Sequence, residues 1–347
     1  MASSGKAGFS GLLKDLGGRI LRSADHETRR IASRYGYLDY MIPRYREILG
    51  DLSEVVEMLE AFEKPLVKSV RINTLRFRDI NEVVDRLEML GYKLSKIPWE
   101  RFSYVIVEQG RVPPGATHEF LLGGYYLYRG IASLIPPIAL NPSPSDRVID
   151  NAAAPGGKTT HIAQLMGNSG VVVAVDVSRE RFRALRTNLE RMGVENVLAL
   201  RTDGRRVPEL FGTYFTKALL DAPCTGEGII QLDPSRKTKT VFDDLVRAHL
   251  RQVQLLLATI RATVPGGRIV YSTCSIAPEE DEFTVAEAIE EAGNVRIVKP
   301  DIPLKLDPGI TEYFGIRLPE ELKYCGRTYP HRHGMEGFFV CVLEKEL

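Results

Sequence analysis

The sequence predicts an α/β fold in which a doubly wound, mostly parallel sheet follows a smaller α+β domain. Beyond residue 146, apolar strand candidates such as RVIDNAAA, GVVVAVDVS and KALLDAPC alternate with helical segments. This alternation is typical of a parallel sheet covered by helices. Before residue 141 the segments are shorter, and a length of 347 residues fits two domains of roughly 150 residues each. We therefore divide the chain at 1–60, 61–140 and 141–347.

Composition is that of a globular protein and excludes few functions. Hydrophobic residues make up 44% of the chain and charged residues 26%, which is ordinary. No apolar run approaches the roughly 20 residues of a membrane span, and the N-terminus lacks the uninterrupted apolar core of a secretory signal. We expect a cytoplasmic protein without a membrane partner. Because 46 basic residues balance 45 acidic ones, net charge does not indicate the partner.

Residues 1–60 are predicted to be a helical region, in which apolar and basic residues interleave. The basic residues that stand out are Arg29, Arg30, Arg34, Arg44 and Arg46. Such a positive excess could follow the phosphate backbone of a nucleic acid. A solvated helical face is the alternative interpretation.

Residues 61–140 are predicted to be a small α+β domain. The strand candidate LVKSVRINTL precedes the helix candidate INEVVDRLEMLG, and the short strands YKLSKI and FSYVIV follow. A small sheet flanked by helices is a common RNA-binding layout, so we expect an RRM-like domain, although the aromatic signature of that fold is absent. The segment NPSPSD at 141–146 is the predicted linker.

The first strand of the third segment leads into a glycine-containing loop that opens a helix, and such a loop brings a ligand close to backbone N–H groups. The triplet Gly157-Lys158-Thr159 resembles the end of a P-loop. However, the first position of that motif falls on Ala152, and Pro155 has no N–H to offer a phosphate. A nucleoside cofactor held through its ribose is the favoured interpretation.

Acidic residues stand at the ends of the first four strands of this domain. They are Asp150, Asp176, Asp203 and Asp221. Asp176 lies about 20 residues beyond Gly156, the spacing of a carboxylate that binds ribose hydroxyls, and Asp203 is placed to accept from an adenine amine. A single strand-end Asp is usually a cap, but four of them beside a glycine loop indicate S-adenosylmethionine rather than NAD.

The four cysteines form no CxxC pair, which argues against a zinc ribbon and a dense disulfide scaffold. Cys224 follows the fourth strand and Cys274 the fifth, so both thiols should face the crevice at the carboxyl ends of the strands. Cys341 is expected to be a packing residue and Cys325 to have no partner. No metal site is predicted, and a structural or RNA contact is favoured for His331 and His333.

Two thiols beside a methyl donor indicate a carbon acceptor, because an amine attacks with its own lone pair. Carbon 5 of a pyrimidine is a poor nucleophile. A thiolate that adds to C6 converts the ring into an enamine, whose C5 can then take the methyl group. A free thiol with a pKa of about 8.5 is mostly protonated at neutral pH, so the nucleophile needs an activating group such as Lys158 or a helix N-terminus.

The chain resembles the Nop/Sun (Fmu-type) family of S-adenosylmethionine-dependent RNA cytosine-5 methyltransferases, in particular archaeal tRNA enzymes. The resemblance covers nearly everything from about residue 65 onward. It implies a mostly parallel seven-stranded sheet whose last strand, GFFVCVLEK, is antiparallel. The matching segments are SVRINTL, AAPGGKTT, AVDVSRERFRALRTNLER, RTDG, LLDAPCTGEG, YSTCSIAPEEDE and RTYPHRHGMEGFFVCVLEK.

The resemblance also implies roles for individual residues. Cys274 would be the nucleophile, and Cys224 would assist proton removal or product release. Asp221 would contact the N3/N4 edge of the cytosine, and Lys158 would reach the target base. The implied cofactor-binding residues are Ala152, Ala153, Ala154, Pro155, Gly156, Gly157, Lys158, Asp176, Arg181, Asp203 and Asp221.

We therefore expect a monomeric enzyme that methylates carbon 5 of a cytosine in RNA, with tRNA as the substrate. A paired target must be flipped or already single-stranded, and the N-terminal 140 residues, with the basic loop from Arg236 to Lys239, would hold the RNA backbone. Three alternatives stay open: the same chemistry on rRNA, a methyltransferase acting on DNA or an amine, and a non-catalytic RNA-binding or ribosome-assembly factor of the same fold.

Overall fold

The computed structural model describes residues 9–347. For residues 1–8, the prediction of a helical region over 1–60 therefore lies outside the described residues. The remainder of that region forms four helices, whose apolar sides pack into the same core as two later helices of the large domain. These four helices are α1 (Phe9–Arg22), α2 (His26–Tyr35), α3 (Met41–Leu49) and α4 (Leu52–Phe62).

The small sheet has four antiparallel strands in the order β2-β3-β1-β4. Because side chains alternate along a strand, Val70 and Ile72 face helix α5, whereas Arg71 lies on the opposite face. The elements are β1 (Ser69–Ile72), α5 (Ile80–Met89), β2 (Lys93–Lys96), β3 (Ser103–Glu108), α6 (His118–Leu121) and β4 (Tyr125–Tyr128).

The face of the small sheet opposite α5 is buried at its centre. Arg71 donates to Thr160 Oγ1 at 2.7 Å, and the Tyr128 hydroxyl donates to Gly157 O at 2.9 Å. Both acceptors lie in the helix that follows the glycine loop. The centre of this face therefore packs against the helix that follows the glycine loop instead of facing solvent.

The rest of the chain forms the large α/β domain. Its first half contains α7 (Ile135–Leu140), β5 (Arg147–Asn151), α8 (Gly157–Leu165), β6 (Val171–Val175), α9 (Arg179–Met192), β7 (Val197–Leu200), α10 (Val207–Phe211), β8 (Phe215–Asp221), α11 (Arg236–Lys239) and α12 (Phe242–Ala262). Its second half contains β9 (Thr263–Thr273), α13 (Glu282–Ala292), β10 (Val295–Val298), β11 (Asp307–Pro308), β12 (Glu312–Tyr313), β13 (Ile316–Arg317), β14 (Gly326–Thr328), α14 (Pro330–His333) and β15 (Phe338–Lys345).

The large sheet has nine strands in the described part of the chain. They run in the order β11-β14-β15-β9-β8-β5-β6-β7, and β10 also pairs with β15. Strands β5 to β9 are parallel, and β15 is antiparallel to β9. The α/β prediction is confirmed, and the sheet has two short strands more than the predicted seven. Seven strands with one antiparallel are present as β5–β10 and β15, and the short β14 and β11 extend the same edge.

Alternation along the central strands separates two cores. Ile149, Leu220 and Tyr271 face the layer that contains α12, α13 and the N-terminal helices. Their neighbours Val148, Leu219 and Val270 face α7 and α8. Within residues 9–347 we find no helix whose length and apolarity would let it cross a membrane.

Cys325 and Cys341 form a disulfide, so the prediction that Cys325 has no partner and that Cys341 only packs was wrong. Cys325 immediately precedes β14, and Cys341 lies in β15, which pairs antiparallel with β14. The two Cα atoms are 4.4 Å apart. With three residues, β14 is too short to produce a recognisable strand pattern. The sequence therefore did not predict that Cys325 lies beside Cys341.

Candidate active site

The glycine loop forms a tight turn between β5 and α8, with left-handed backbone at Ala152 (φ 100°) and Gly156 (φ 102°). The left-handed conformation at Gly156 favours glycine, and a Cβ there would lie 2.9 Å from Leu185 Cδ1, so the Leu185 side chain would have to shift. The loop is tied to the end of β6, because Ala154 N donates to Asp176 Oδ2 at 3.2 Å. The Arg181 guanidinium donates to Ala154 O and lies 3.9 Å from Asp176.

A cavity of about 250 Å³ opens between this loop and β4. Its wall includes Asp150, whose Oδ2 accepts from Thr159 Oγ1 at 2.6 Å. The other carboxylate oxygen, Oδ1, is buried and has no partner in residues 9–347, and burial raises the pKa of Asp150 to about 7. The residues that line the cavity are Tyr126, Leu127, Tyr128, Arg129, Ser133, Asp150, Ala152, Ala153, Ala154, Pro155, Gly157, Lys158 and Asp221.

The residues present fit S-adenosylmethionine. The buried Asp150 oxygen needs a donor, which an ammonium group would supply, and Asp176 offers acceptors for ribose hydroxyls at the end of the neighbouring strand. Asp203 is less free than expected. Its carboxylate caps a short turn at Arg205 N and pairs with the Arg205 side chain at 2.5 Å. The hydrogen bond from that side chain lowers the pKa of Asp203.

The two thiols that the sequence places at strand ends lie together. The Sγ atoms of Cys224 and Cys274 are 3.1 Å apart, and both cysteines are half-buried and free. Strands β8 and β9 are adjacent and parallel, with Asp221 opposite Ser272, so their following turns meet. The hydrogen bond to Cys274, and then burial, raise the pKa of Cys224. The Cys224 thiol therefore stays protonated at neutral pH and can donate its proton.

An ion pair lies beside the thiols. Lys158 Nζ is 2.6 Å from Asp221 Oδ2, and Ser272 Oγ donates to Asp221 Oδ1 at 2.8 Å. Burial alone would lower the pKa of Lys158, but the negative charge of Asp221 outweighs it and the pKa is raised. The ammonium therefore stays charged at neutral pH.

Glu280 contacts both thiol-bearing turns, and the sequence interpretation did not single it out. It accepts from Thr225 N at 2.8 Å and from Ser275 Oγ at 2.9 Å. Burial raises the pKa of Glu280 to about 7, although the hydrogen bonds from Thr225 oppose this effect.

Glu280 belongs to a run of four acidic residues, Glu279–Glu282, that are all fully buried. A run of four charges predicts a solvated loop, so no sequence signal distinguished these residues. Arg44 reaches Glu279 at 2.6 Å and Glu227 at 2.8 Å, and Arg327 reaches Glu282 at 2.5 Å. Arg44 has no exposed surface, which excludes it from the basic face that was considered for RNA contact.

A basic cleft of about 400 Å³ begins at Cys224. The segment Arg236–Lys239, predicted as a basic loop, is the short helix α11 and borders the cleft through Arg236 and Lys239. Arg247 and Arg251 of α12 contribute cations that the sequence interpretation missed. Asp244 neutralises part of this charge, at 2.5 Å from Arg247. The residues that line the cleft are Cys224, Thr225, Asp233, Ser235, Arg236, Lys239, Thr240, Asp244, Arg247, Ala248 and Arg251.

The two histidines considered for metal binding make protein contacts. His331 Nε2 is 3.1 Å from Glu54 Oε1, and His333 Nδ1 accepts from Tyr329 N at 3.0 Å. Residues 9–347 contain no group of three or more His, Cys, Asp or Glu side chains placed to hold a metal ion.

A parallel sheet with one inserted antiparallel strand, a glycine loop and strand-end carboxylates defines the class of Rossmann-like methyltransferases. Residues 137–344 match the family model described as 16S rRNA methyltransferase RsmB/F. Residues 39–128 match the N-terminal domain of 16S rRNA methyltransferase RsmF. The chain belongs to this family, which confirms the resemblance to the Nop/Sun methyltransferases. Methyltransferases of the family use S-adenosylmethionine.

Individual relatives differ in length and in RNA target. The chain is 38% identical over 320 residues to a mouse 28S rRNA (cytosine-C(5))-methyltransferase, covering 91% of this chain and 40% of the mouse protein. It is 34% identical to a Pyrococcus abyssi tRNA (cytosine(49)-C(5))-methyltransferase, and the alignment covers 88% of this chain and 95% of the Pyrococcus protein. The chain spans about half the length of the eukaryotic relatives it matches.

Solved structures share the whole architecture. The chain aligns with the crystal structure of a methyltransferase homologue from Pyrococcus horikoshii with a TM-score of 0.82 and 36% identity. The alignment covers 92% of this chain and 99% of that one. The arrangement of the small sheet, the N-terminal helices and the large sheet is therefore similar to that in this crystal structure.

Proposed function

We propose that this protein transfers a methyl group from S-adenosylmethionine to carbon 5 of a cytosine in RNA, with tRNA as the substrate. The observation that carries the proposal is the pair of free thiols 3.1 Å apart at adjacent strand ends. Direct methylation of an amine or hydroxyl needs no thiol. Carbon 5 needs one, because covalent addition at C6 makes it nucleophilic.

Cys274 is the proposed nucleophile. Its thiolate forms a bond to C6, and the electrons of the C5–C6 double bond move into the ring as an enamine. The charged Lys158, close to Asp221, stabilises the negative charge that spreads towards N3 and O2 of the base. Asp221 accepts from the exocyclic amine of the cytosine. When bound, the cofactor would supply the electrophilic methyl group of its sulfonium. C5 would bond to that methyl as the methyl–sulfur bond breaks, with its electron pair staying on the cofactor sulfur.

Release reverses the addition. A water molecule takes the C5 proton, the electron pair reforms the C5–C6 double bond, and the C6–sulfur bond breaks with its pair returning to Cys274. Cys224 keeps its proton because its pKa is raised. Its S–H can therefore donate to the departing sulfur and stabilise it. This assignment makes the two cysteines unequal: one starts the reaction and the other helps to end it.

Backbone and side-chain groups of the glycine loop would hold the cofactor. The loop from Ala152 to Lys158 would contact its methionine part, and Asp176 with Arg181 would orient the ribose. Asp203 would reach the adenine amine only by sharing its carboxylate with Arg205, to which it is already bonded. The basic cleft beside Cys224 would bind phosphate groups that flank the target. The tRNA assignment is supported by the relative whose length this chain matches.

Single-thiol variants test the proposal. Cys274→Ala should abolish transfer of tritium from labelled S-adenosylmethionine to bulk tRNA. Cys224→Ala should instead accumulate a protein–RNA adduct that survives a denaturing gel, and the double variant is the matched control that should form none. Bisulfite sequencing then locates the modified cytosine. Undiminished C5 methylation by Cys274→Ala would overturn the nucleophile assignment. Methylation of rRNA but not tRNA would move the substrate to rRNA.

A further inference from the structure

The turns that follow β8 and β9 each place a reactive sulfur, and one buried carboxylate touches both turns. Glu280 Oε1 accepts from Thr225 N at 2.8 Å, and Oε2 accepts from Thr225 Oγ1 at 2.5 Å. The same Oε2 accepts from Ser275 Oγ at 2.9 Å. Thr225 directly follows Cys224, and Ser275 directly follows Cys274. The carboxylate therefore spans the gap between the two turns one residue beyond each thiol.

We propose that Glu280 is a positioning residue for the thiol pair, whose carboxylate holds the Cys224 turn and the Cys274 turn together and so sets the separation of the two sulfur atoms. For catalysis, this inference rests on the proposed function. For thiol geometry, it stands independently of that function.

Glu280 is itself held from two further sides. Gln252, on α12, donates to Oε1 at 3.1 Å and also to Pro223 O at 3.0 Å. The Tyr271 hydroxyl donates to the backbone carbonyl of Glu280 at 2.6 Å. With four donors, the carboxylate has about as many hydrogen bonds as its lone pairs can accept. A fully buried, fully satisfied carboxylate is a rigid support, because releasing one donor leaves a buried polar group without a partner.

Main-chain pairing also links the strand ends. Ala222 N donates to Ser272 O at 2.8 Å, which continues the β8–β9 ladder up to the cysteines. Gly228 N donates to Cys274 O at 3.0 Å. These bonds fix where the turns begin and return. Glu280 acts between these bonds, at Thr225 and Ser275, the residues that directly follow the two cysteines.

The expected consequence of loosening this link is a loss of rate rather than of RNA affinity. A misplacement of about 1 Å between reacting groups can cost about 100-fold in rate. We therefore expect Glu280→Ala to lower kcat for tRNA methylation about 100-fold, with KM for tRNA unchanged. Glu280→Gln should be intermediate, because the amide keeps one carbonyl oxygen for Thr225 N and the two hydroxyls can turn to accept from its NH₂ group.

A second readout needs no methylation. Diamide oxidises two neighbouring thiols to a disulfide and takes up the two hydrogens, so its cross-linking rate in the folded protein reports the proximity of Cys224 and Cys274. We expect Glu280→Ala to cross-link at least about tenfold more slowly than the wild type. Ser275→Ala, which removes the hydroxyl that holds the Cys274 turn, should fall between the two. Thr225→Val keeps the backbone donor to Oε1 and should slow cross-linking less than Ser275→Ala.

Glu287→Gln is the matched control, because it removes a carboxylate from α13 that pairs with His249 Nε2 at 2.7 Å and touches neither turn. It should cross-link and methylate like the wild type. Folded Glu280→Ala and Glu280→Gln proteins that cross-link at the wild-type rate would overturn the proposal. If Glu280→Ala does not fold, wild-type cross-linking in Ser275→Ala would overturn it equally, because that variant removes the link between Glu280 and the Cys274 turn. A wild type that methylates no RNA refutes the proposed function alone, since the cross-linking comparison still decides the role of Glu280.

Discussion

The free energy of unfolding should depend on pH through Glu280, and the neutral variant Glu280→Gln isolates this contribution. Burial raises the pKa of Glu280 from 4.5 to about 7 in the folded protein. Between these two values the unfolded chain releases a proton that the folded protein retains. The folded state is therefore disfavoured progressively as pH rises through this range.

The size of the effect follows from the two pKa values. A difference of about 2.5 pKa units, at 1.36 kcal/mol for each, comes to about 3 kcal/mol. The contribution of Glu280 to stability is fully present below about pH 4.5 and is lost by about pH 7. In Glu280→Gln nothing titrates at this position. The free energy of unfolding of the variant should therefore rise relative to that of the wild type by about 3 kcal/mol from pH 4 to pH 8.

Urea unfolding at intervals of half a pH unit, with equal m-values for the two proteins, measures this difference. The other buried carboxyls, Asp150 among them, titrate in both proteins and cancel in the comparison. A difference between the two proteins that stays constant with pH, or that falls as pH rises, would refute the reasoning. A constant difference would mean that the Thr225 and Ser275 hydrogen bonds offset burial and keep the pKa of Glu280 near its usual value. A falling difference would mean that these bonds outweigh burial and lower that pKa.

Three further outcomes are expected. Replacing Arg44 with Met leaves two buried carboxylates without their cation and should lower the free energy of unfolding by about 3–5 kcal/mol; a loss below about 1 kcal/mol in urea unfolding would contradict the buried ion pairs. Reduction of the disulfide should lower the free energy of unfolding by about 3 kcal/mol for a loop of this length. Thiol titration of the denatured protein should then rise from two groups to four. Four groups before reduction would show that Cys325 and Cys341 are not bonded. Arg247→Ala should raise KM for tRNA and lower the salt dependence of binding by about one charge, whereas Arg186→Ala, exposed on α9, should change neither; equal effects of the two variants would refute the cleft as the RNA site.

The juxtaposition of the two thiols could be predicted from the sequence because the cysteines follow regular elements. Cys224 and Cys274 follow strands with clear apolar patterns, and parallel strands return the chain to the same edge of a sheet. The structure places their sulfur atoms 3.1 Å apart. Lys158 and Asp221 follow the same rule and meet at 2.6 Å.

The buried charged residues around the site could not be predicted in this way. Arg44 reads as a surface cation of a basic helix, yet its side chain is fully buried between two carboxylates. Glu280 reads as one acid in a solvated run, yet it bridges two turns. Composition and periodicity describe a residue by its own chain neighbours, whereas burial of a charge depends on partners that are 55 residues away for Glu280 and Thr225 and 235 for Arg44 and Glu279.

The sequence by itself determined the α/β class, the order of the strands that carry the thiols, and the family of the protein. These features depend on local pattern and on rules of parallel-sheet topology. Only the tertiary structure decided which charges are buried, that Cys325 bonds Cys341, and that the centre of the small sheet faces α8 instead of solvent. Each of these depends on which distant segments pack together. The free energy of burying a charge or a sheet face depends on the partners that those distant segments supply.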